Sequence, residues 1–236
     1  MRQVDSPTKR SELLPLVENA ATALLNKDVD GDMVLEQGPN EDWMDTAYRY
    51  GKVLYSNVCW LSALRSLAEV DGKREEWYDV YRETRKAVVK TFKLDSSEPV
   101  GVVGLRAYKK HVWQDTVLAA EHVESEDIVK QLSKKLDDKI GPRVVHPQLP
   151  ISSWRSRKWG TYHNGAFWPW FSSMHALVLN RLGFIEESWR IMRSVVKYCL
   201  YEWVNPDNES GRGPKPFRTG CATALAVLAE LHDGVE

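Results

Sequence analysis

Two carboxylic acids stand out because each is next to aromatic side chains. Asp45 follows Trp43 in a polar segment, and Glu202 lies directly before Trp203. A neighbouring indole ring desolvates a carboxyl group and favours its neutral form, as a general acid requires. Hydrolysis of a glycosidic bond needs two carboxyl groups, one to protonate the leaving oxygen and one to activate water or attack directly. We interpret Asp45 and Glu202 as a candidate pair; the alternatives are a turn or cap role for Asp45 and a structural role for Glu202.

The segment 159–170 concentrates polar and aromatic side chains before and within the most apolar predicted helix. Neutral hydrogen-bonding groups and indole rings together suit a polyol ligand, because sugar rings stack on aromatic faces. The chain has ten tryptophans, and the alternative for those inside the predicted helix is core packing. The candidate sugar-binding residues are Trp43, Tyr162, His163, Asn164, Trp168 and Trp170.

Composition narrows the function classes. The chain has 236 residues, of which 43% are hydrophobic and 28% charged, with a formal net charge of −1. These values exclude a disordered chain and give no basic field for nucleic acid or an anionic membrane. No apolar run is long enough for a membrane span, and no signal peptide is recognised. Three scattered cysteines predict buried thiols in a cytoplasmic protein. The acidic stretch 28–32 is interpreted as a turn rather than a calcium loop, and hydrolysis by two carboxyl groups requires no metal or cofactor, so none is predicted.

The elements that must position these residues are helical. Apolar residues recur at helical spacing, and strand signals are nearly absent. Apolar and amphipathic helices alternate, which is typical of stacked helical hairpins in toroids and solenoids. Long polar loops separate them, and no linker is recognised, so residues 1–236 are interpreted as one domain. The predicted helices cover residues 11–27, 53–70, 73–92, 113–123, 125–139, 164–182, 185–200 and 219–232, with Pro15 expected to delay the start of the first.

Three motifs in the same order resemble one clan of glycoside hydrolases. Trp43-Met44-Asp45, with the later Ser62-Ala63-Leu64-Arg65, is similar to the acid-bearing stretch of two groups. These groups are the glucosidase domain of glycogen debranching enzymes and the alkaline/neutral invertases. Tyr162-His163-Asn164-Gly165 with Trp168-Pro169 resembles a second signature, and Glu202 with Asn205-Pro206 resembles the base-bearing stretch. The resemblance runs from about residue 40 to the end of the chain.

The resemblance implies an all-α (α/α)6 toroid and inversion at the anomeric carbon. It implies that Asp45 is the general acid and Glu202 the general base, about 6.5–9.5 Å apart with a water between them. The expected activity is that of an exo-acting α-glucosidase on oligosaccharides or glycogen-like glucans, similar to amylo-α-1,6-glucosidase. The alternatives are a sucrose-cleaving invertase, a non-catalytic carbohydrate-binding remnant and a purely structural helical scaffold.

Two features depart from the family pattern. A full toroid has twelve helices, whereas about eight are predicted, so we expect an incomplete toroid corresponding to its C-terminal two-thirds. Its uncovered faces imply a homodimer or a complementing N-terminal chain. The families also carry a glutamate in the helix that follows the acid, where this chain has Leu54-Tyr55-Ser56-Asn57. In those families the glutamate helps to define the sugar subsite, so its absence affects which sugar is bound.

Overall fold

The computed structural model describes residues 7–70, 75–96, 98–123, 126–150 and 158–233. Helices dominate these residues, and each of the three small sheets has only two strands. The helices are α1 (Pro7–Leu25), α2 (Leu54–Val70), α3 (Glu75–Phe92), α4 (Asp115–Val123), α5 (Glu126–Leu136), α6 (Pro169–Arg181), α7 (Ile185–Tyr198) and α8 (Arg218–Asp233). The strands are β1 (Glu36–Gln37), β2 (Gly51–Lys52), β3 (Val112–Trp113), β4 (Val145–His146), β5 (Trp203–Asn205) and β6 (Ser210–Arg212).

The helices form an inner and an outer layer. The inner helices α2, α4, α6 and α8 contact one another in that order. The helices α3, α5 and α7 pack outside α2, α4 and α6 respectively. The outer helices are strongly amphipathic, whereas α4 and α6 are buried over most of their surface, as with Phe171 and Val117. This arrangement confirms the predicted alternation of apolar and amphipathic helices.

The path of the chain places four loops at one end of the inner layer. Each outer helix packs against the inner helix that precedes it after a short connection, which makes the two antiparallel, so the inner helices all begin at the same end. The segments before α2, α4, α6 and α8 therefore meet there. Backbone hydrogen bonds join neighbouring loops: Leu54 N donates to Gly101 O at 2.9 Å, and Val144 N to Ala166 O at 3.2 Å. Phe167 and Val204 exchange two such bonds.

The small antiparallel sheets belong to these loops. Strand β1 pairs with β2 before α2, and β3 pairs with β4. Strands β5 and β6 form a hairpin before α8, with Val204 opposite Gly211. Such short strands carry too few alternating residues to give a sequence signal. The main core lies between the helical layers, and a second apolar cluster joins α1, α2 and α3 through residues such as Trp60 and Trp77.

Several predicted boundaries were wrong. Helix α1 begins at Pro7 and includes Pro15, so the proline does not delay its start. The helix lies at the surface, where Leu16 is 64% exposed, and water can replace the hydrogen bond that proline removes. Helix α6 begins at Pro169 rather than at residue 164, because proline suits the first helical position. The predicted helix starts at residues 73 and 125 lie outside the described residues.

The cysteines also differ from expectation. Cys59 is exposed, and Cys199 and Cys221 are partly exposed, so the prediction of buried thiols was wrong. Cys199 and Cys221 approach to 3.5 Å between their sulfur atoms, where the end of α7 meets α8. Within the described residues, no helix has the length and apolar character to cross a membrane.

Candidate active site

Asp45 lies in the loop that precedes α2. Met44 is fully buried beside it, and Met44 N donates to Asp42 Oδ1 at 2.7 Å. Ala47 N donates to Met44 O at 3.0 Å, which closes a turn around Asp45. The Asp45 side chain is 53% exposed, so Trp43 does not desolvate it as the sequence suggested. The turn presents this carboxyl group outward from an anchored loop.

Trp43 points the other way, into a cluster of aromatic rings. Its ring centroid lies 5.0 Å from that of His163, 5.3 Å from Trp168 and 5.2 Å from Trp170. Phe171 of α6 completes the cluster at 4.6 Å. Three other candidate sugar-binding residues therefore surround Trp43, which joins the loop that carries Asp45 (the acid loop, residues 38–50) to the start of α6.

Trp168 lies just before α6 rather than inside it, so its predicted helical position was wrong. Its indole Nε1 donates to Tyr162 O at 3.0 Å, and only 4% of the residue is exposed. Trp170 is inside the helix and half-buried. The bond to Tyr162 gives Trp168 the partner that a buried indole N–H requires.

His163 connects the cluster to Asp45. Its Nδ1 lies 2.9 Å from Thr46 Oγ1 and 3.6 Å from Asp45 Oδ1, and its ring stacks on Trp168 at 4.9 Å. Burial lowers the pKa of His163 well below its ordinary value of 6.5, and Arg49 lowers it further. The imidazole is therefore neutral, and 3.6 Å exceeds a hydrogen-bond distance. His163 supports the acid loop by contact without forming an ion pair with Asp45.

Tyr162 and Asn164 flank this histidine. Tyr162 adopts a φ of 47°, and its ring contacts His163 at 4.2 Å and Trp203 at 6.3 Å. Asn164 is fully buried, and its side-chain oxygen accepts a hydrogen bond from Leu149 N at 2.8 Å. Tyr162 therefore reaches the neighbouring hairpin, whereas Asn164 fixes the path of its own loop.

Glu202 begins that hairpin. The helix predicted to end at residue 200 stops at Tyr198, and the chain turns before β5, so Glu202 lies outside the helix. Glu202 N donates to Arg212 O at 3.1 Å, which extends the β5–β6 pairing. A Cβ on Gly213 would lie 2.3 Å from Glu202 Oε2, so glycine leaves the space that the carboxylate occupies. Strand pairing, rather than a helix end, positions this carboxyl group.

Contacts connect the loops of the two candidate acids although these residues are far apart in the sequence. Asp45 touches His163, whose neighbour Tyr162 contacts Trp203. Trp203 directly follows Glu202. The loops before α2, α6 and α8 thus meet at one end of the fold, with one carboxyl group on the first and the other on the last.

A buried ionic network was not found from the sequence. The Arg49 guanidinium lies 2.8 Å from Asp42 Oδ1, donates to Asp115 Oδ2, and stacks 4.9 Å above the Trp113 ring. Burial opposes the charge of Arg49, but Asp115 and Asp42 outweigh it and raise its pKa. Burial raises the pKa of Asp115 more than Arg49 lowers it. Asp42 and Arg49 flank Asp45, so the network ties the acid loop to α4.

Acidic residues also cluster in the turn after α1. Carboxylate oxygens of Asp28, Asp30 and Glu36 lie within 4.8 Å of one another. The backbone N–H groups of Asp32 and Met33 donate to Asp28, as in the predicted turn. Lys52 Nζ lies 2.7 Å from Asp30 and 2.6 Å from the adjoining Asp32, so one ammonium group neutralises part of the charge of this turn.

Two open clefts have quite different linings. One, of about 320 Å³, includes the acidic side chains of Glu36, Glu41 and Asp42. The other, of about 280 Å³, is lined by Tyr48, Tyr50, Gly104, Leu105, Arg106 and Tyr108. Neither cleft includes Asp45 or Glu202 in its wall. Tyr48, which lines the second cleft, is three residues after Asp45 in the sequence.

Comparison with solved structures identifies the fold. The chain resembles an uncharacterised conserved protein from Thermus thermophilus at 12% identity, with a TM-score of 0.73 over 97% of this chain and 74% of that one. It also resembles GH63 mannosylglycerate hydrolase from the same organism, solved in complex with glucose. That match has 13% identity and a TM-score of 0.74 over 97% of this chain and 72% of the other.

A structure of the same hydrolase with Tris and D-glycerate matches 76% of this chain at a TM-score of 0.58 and 14% identity. No protein-family model matches the sequence, and no curated protein matches it. The structural likenesses confirm the predicted fold class: the protein is all-α, with an incomplete (α/α)6 toroid.

Proposed function

We propose that this protein is an inverting glycoside hydrolase in which Asp45 is the general acid and Glu202 the general base. The observation that carries the proposal is the run of contacts from Asp45 through His163 and Tyr162 to Trp203, beside Glu202. It brings the loops that carry the two residues, and a set of aromatic rings, together at one end of the toroidal fold. Glycosidic hydrolysis uses such a pair, and aromatic faces bind sugar rings.

The two acids have different surroundings, which suits different roles. Asp45 is on an anchored turn with its carboxyl group about half exposed, so it can reach the oxygen of a leaving group. Glu202 is on a hairpin against Gly213, whose lack of a side chain lets the carboxylate lie against the backbone there. A water held by Glu202 would attack the anomeric carbon while Asp45 donates its proton. This mechanism requires no metal or cofactor.

The proposed substrate class is an α-glucosidic oligosaccharide or glucan. The motif resemblance to amylo-α-1,6-glucosidases supports glucose as the released sugar, and the likeness to GH63 mannosylglycerate hydrolase widens the set worth testing. The test is sugar release from isomaltose, panose, limit dextrin, sucrose, trehalose and mannosylglycerate. NMR of the first-formed anomer then distinguishes inversion from retention.

Matched variants make the test specific. Asp45→Asn and Glu202→Gln are expected to lower kcat by about 10²–10⁴-fold, the usual effect of losing an acid or base. The control Asp79→Asn changes a side chain of similar exposure, 54%, on the outer helix α3, and should keep full activity. If the folded wild type releases no sugar, the proposal of a self-sufficient enzyme is wrong. A binding remnant or a requirement for a complementing chain would then explain the site.

A further inference from the structure

Two cysteines that are distant in the sequence form a close pair where the end of α7 meets the first turn of α8. The Sγ atoms of Cys199 and Cys221 lie 3.5 Å apart, and Cys221 Sγ is also 3.5 Å from Cys199 O. Both residues are partly exposed, whereas a cysteine that serves only as a small apolar side chain is usually fully buried. The pair therefore lies at the surface, and the proposed hydrolysis does not use it.

The backbone holds the two cysteines together. Phe217 N donates to Leu200 O at 2.8 Å, directly beside Cys199. Gly220 is buried, and a Cβ on it would lie 2.5 Å from Cys199 O, so only glycine lets α8 approach the end of α7 this closely. A disulfide bond is about 2.05 Å long, so the two sulfur atoms must approach by about 1.5 Å. Because the backbones are already in contact, rotation of the two side chains can supply this movement.

The segment between the cysteines, residues 200–220, carries Glu202. It contains the β5–β6 hairpin, which is extended where Glu202 N donates to Arg212 O at 3.1 Å. The backbone bonds between Phe167 and Val204 attach the hairpin to the loop before α6. A covalent bond across the ends of the segment would reduce the entropy of its open conformations, which favours the closed one. A disulfide at this position would therefore fasten the segment to the helices α7 and α8.

We propose that Cys199 and Cys221 are a reversible oxidation site, at which a low-molecular-weight disulfide such as oxidised glutathione converts the two thiols into a disulfide that fastens residues 200–220. One cysteine thiolate attacks a sulfur atom of oxidised glutathione and releases one glutathione thiolate. The other cysteine thiolate attacks the resulting mixed disulfide and releases the second. The two cysteines thus lose two protons and two electrons, and oxidised glutathione becomes two glutathione thiols. The site does not depend on the proposed hydrolase function.

Peptide mass spectrometry tests the pairing directly. The native protein is equilibrated with mixtures of reduced and oxidised glutathione, the remaining thiols are blocked with N-ethylmaleimide, and the product is digested with trypsin. Trypsin separates residues 198–212 from residues 219–236, so these two peptides stay together only through a disulfide between Cys199 and Cys221. The expected product is the linked pair of peptides, two hydrogen atoms lighter than the sum of the two. Dithiothreitol should separate them again.

Serine variants supply matched controls. Cys59→Ser removes the exposed cysteine of α2 and should still give the linked peptides, whereas Cys199→Ser and Cys221→Ser should each abolish them. Oxidation should raise the Tm of wild type and of Cys59→Ser by about 6–12 °C, as expected for closing a loop of this length. It should not raise the Tm of Cys199→Ser, which cannot close the loop.

Separate attachment of glutathione to Cys199 and Cys221 without linked peptides would overturn the proposal, as would linked peptides that form only in denaturant. Linked peptides without a rise in Tm would show that the bond does not fasten the segment, which also overturns it. A cross-link that dithiothreitol does not reduce in the native protein would overturn its reversibility. None of these measurements uses a substrate, so a failure to release sugar would contradict the hydrolase and leave this inference standing.

Discussion

Removing Arg49 should destabilise the protein far more than removing an exposed arginine. Arg49→Met keeps a side chain of similar length in a fully buried position but deletes the positive charge between Asp42 and Asp115. Two carboxyl groups then remain in the interior without a cation, and the contact over the Trp113 ring is lost. Arg82→Met is the matched control, because Arg82 is 52% exposed and pairs with Asp79 and Glu83 at the surface.

The expected magnitude follows from burial. Breaking a buried ion pair by removing one partner typically costs about 3–5 kcal/mol, because the remaining charge has no partner. An exposed pair contributes about 0–1 kcal/mol. For a chain of this size each kcal/mol lowers Tm by about 2–4 °C. Arg49→Met should therefore lower Tm by about 6–20 °C, and Arg82→Met by no more than about 4 °C.

The pH dependence gives the same reasoning a second test. Without Arg49, the Asp115 carboxyl loses the neighbour that lowers its pKa, so its folded-state pKa rises further above the ordinary value of 3.8. A carboxyl group whose pKa is higher in the folded state binds its proton more tightly when folded, so folding becomes more favourable as pH falls. The difference in free energy of unfolding between wild type and Arg49→Met should be largest near pH 7 and shrink toward pH 4.

Urea unfolding followed by circular dichroism at several pH values measures this difference. If Arg49→Met lowers the free energy of unfolding by less than about 1 kcal/mol at pH 7, the reasoning is refuted, since the buried network would then contribute no more than a surface ion pair. A loss that does not change with pH would show that the carboxyl groups are not the source of the instability.

Two further substitutions test the packing and the titration of the interior. Gly101→Ala should lower the free energy of unfolding, measured in urea, by about 1–3 kcal/mol, because its Cβ would lie 2.2 Å from the fully buried Trp113 ring. In the control Gly38→Ala the new Cβ meets only the flexible end of Glu41, so the loss should be smaller. Burial, aided by Arg190, lowers the pKa of His175 to about 3. As the pH falls below 6.5, the unfolded chain therefore binds a proton at this residue that the folded chain does not bind. The contribution of His175 to the free energy of unfolding should thus fall from pH 6.5 toward pH 3, and His175→Gln should make the fall with pH shallower. The same dependence of unfolding free energy on pH in both proteins would contradict a buried neutral imidazole.

The helices could be predicted from the sequence because each carries its own signal. The apolar residues of α2 and α8 recur at helical spacing, and the bounds of α2 differ from the prediction by one residue. The alternation of inner and outer helices also followed from that pattern. Pro15 shows the limit, since whether a proline ends a helix depends on whether water can reach the freed carbonyl group, and the sequence alone does not say which side of α1 is exposed.

The site was only partly predictable, because its geometry depends on contacts between distant loops. Motifs and aromatic neighbours selected Trp43, Tyr162, His163 and Trp168, and the structure places these residues together. Nothing in the spacing of Arg49 and Asp115 predicts their pairing across the loops before α2 and α4. The assumption that Trp43 desolvates Asp45 failed for a related reason: sequence neighbours on a turn can point to opposite sides of the chain.

Asp45 and Glu202 are supported differently because they lie on different loops. The loop of Asp45 is fixed from beneath by the buried Arg49 network and by His163, whereas Glu202 is on a hairpin whose backbone pairs with the loop before α6 through Phe167 and Val204. A change in Arg49 should therefore disturb Asp45 through the core, and a change at the Phe167–Val204 pair should disturb Glu202 through the backbone. Because the loop before α6 touches both, a substitution such as Tyr162→Ala should affect both halves of the site while leaving the helical layers in place.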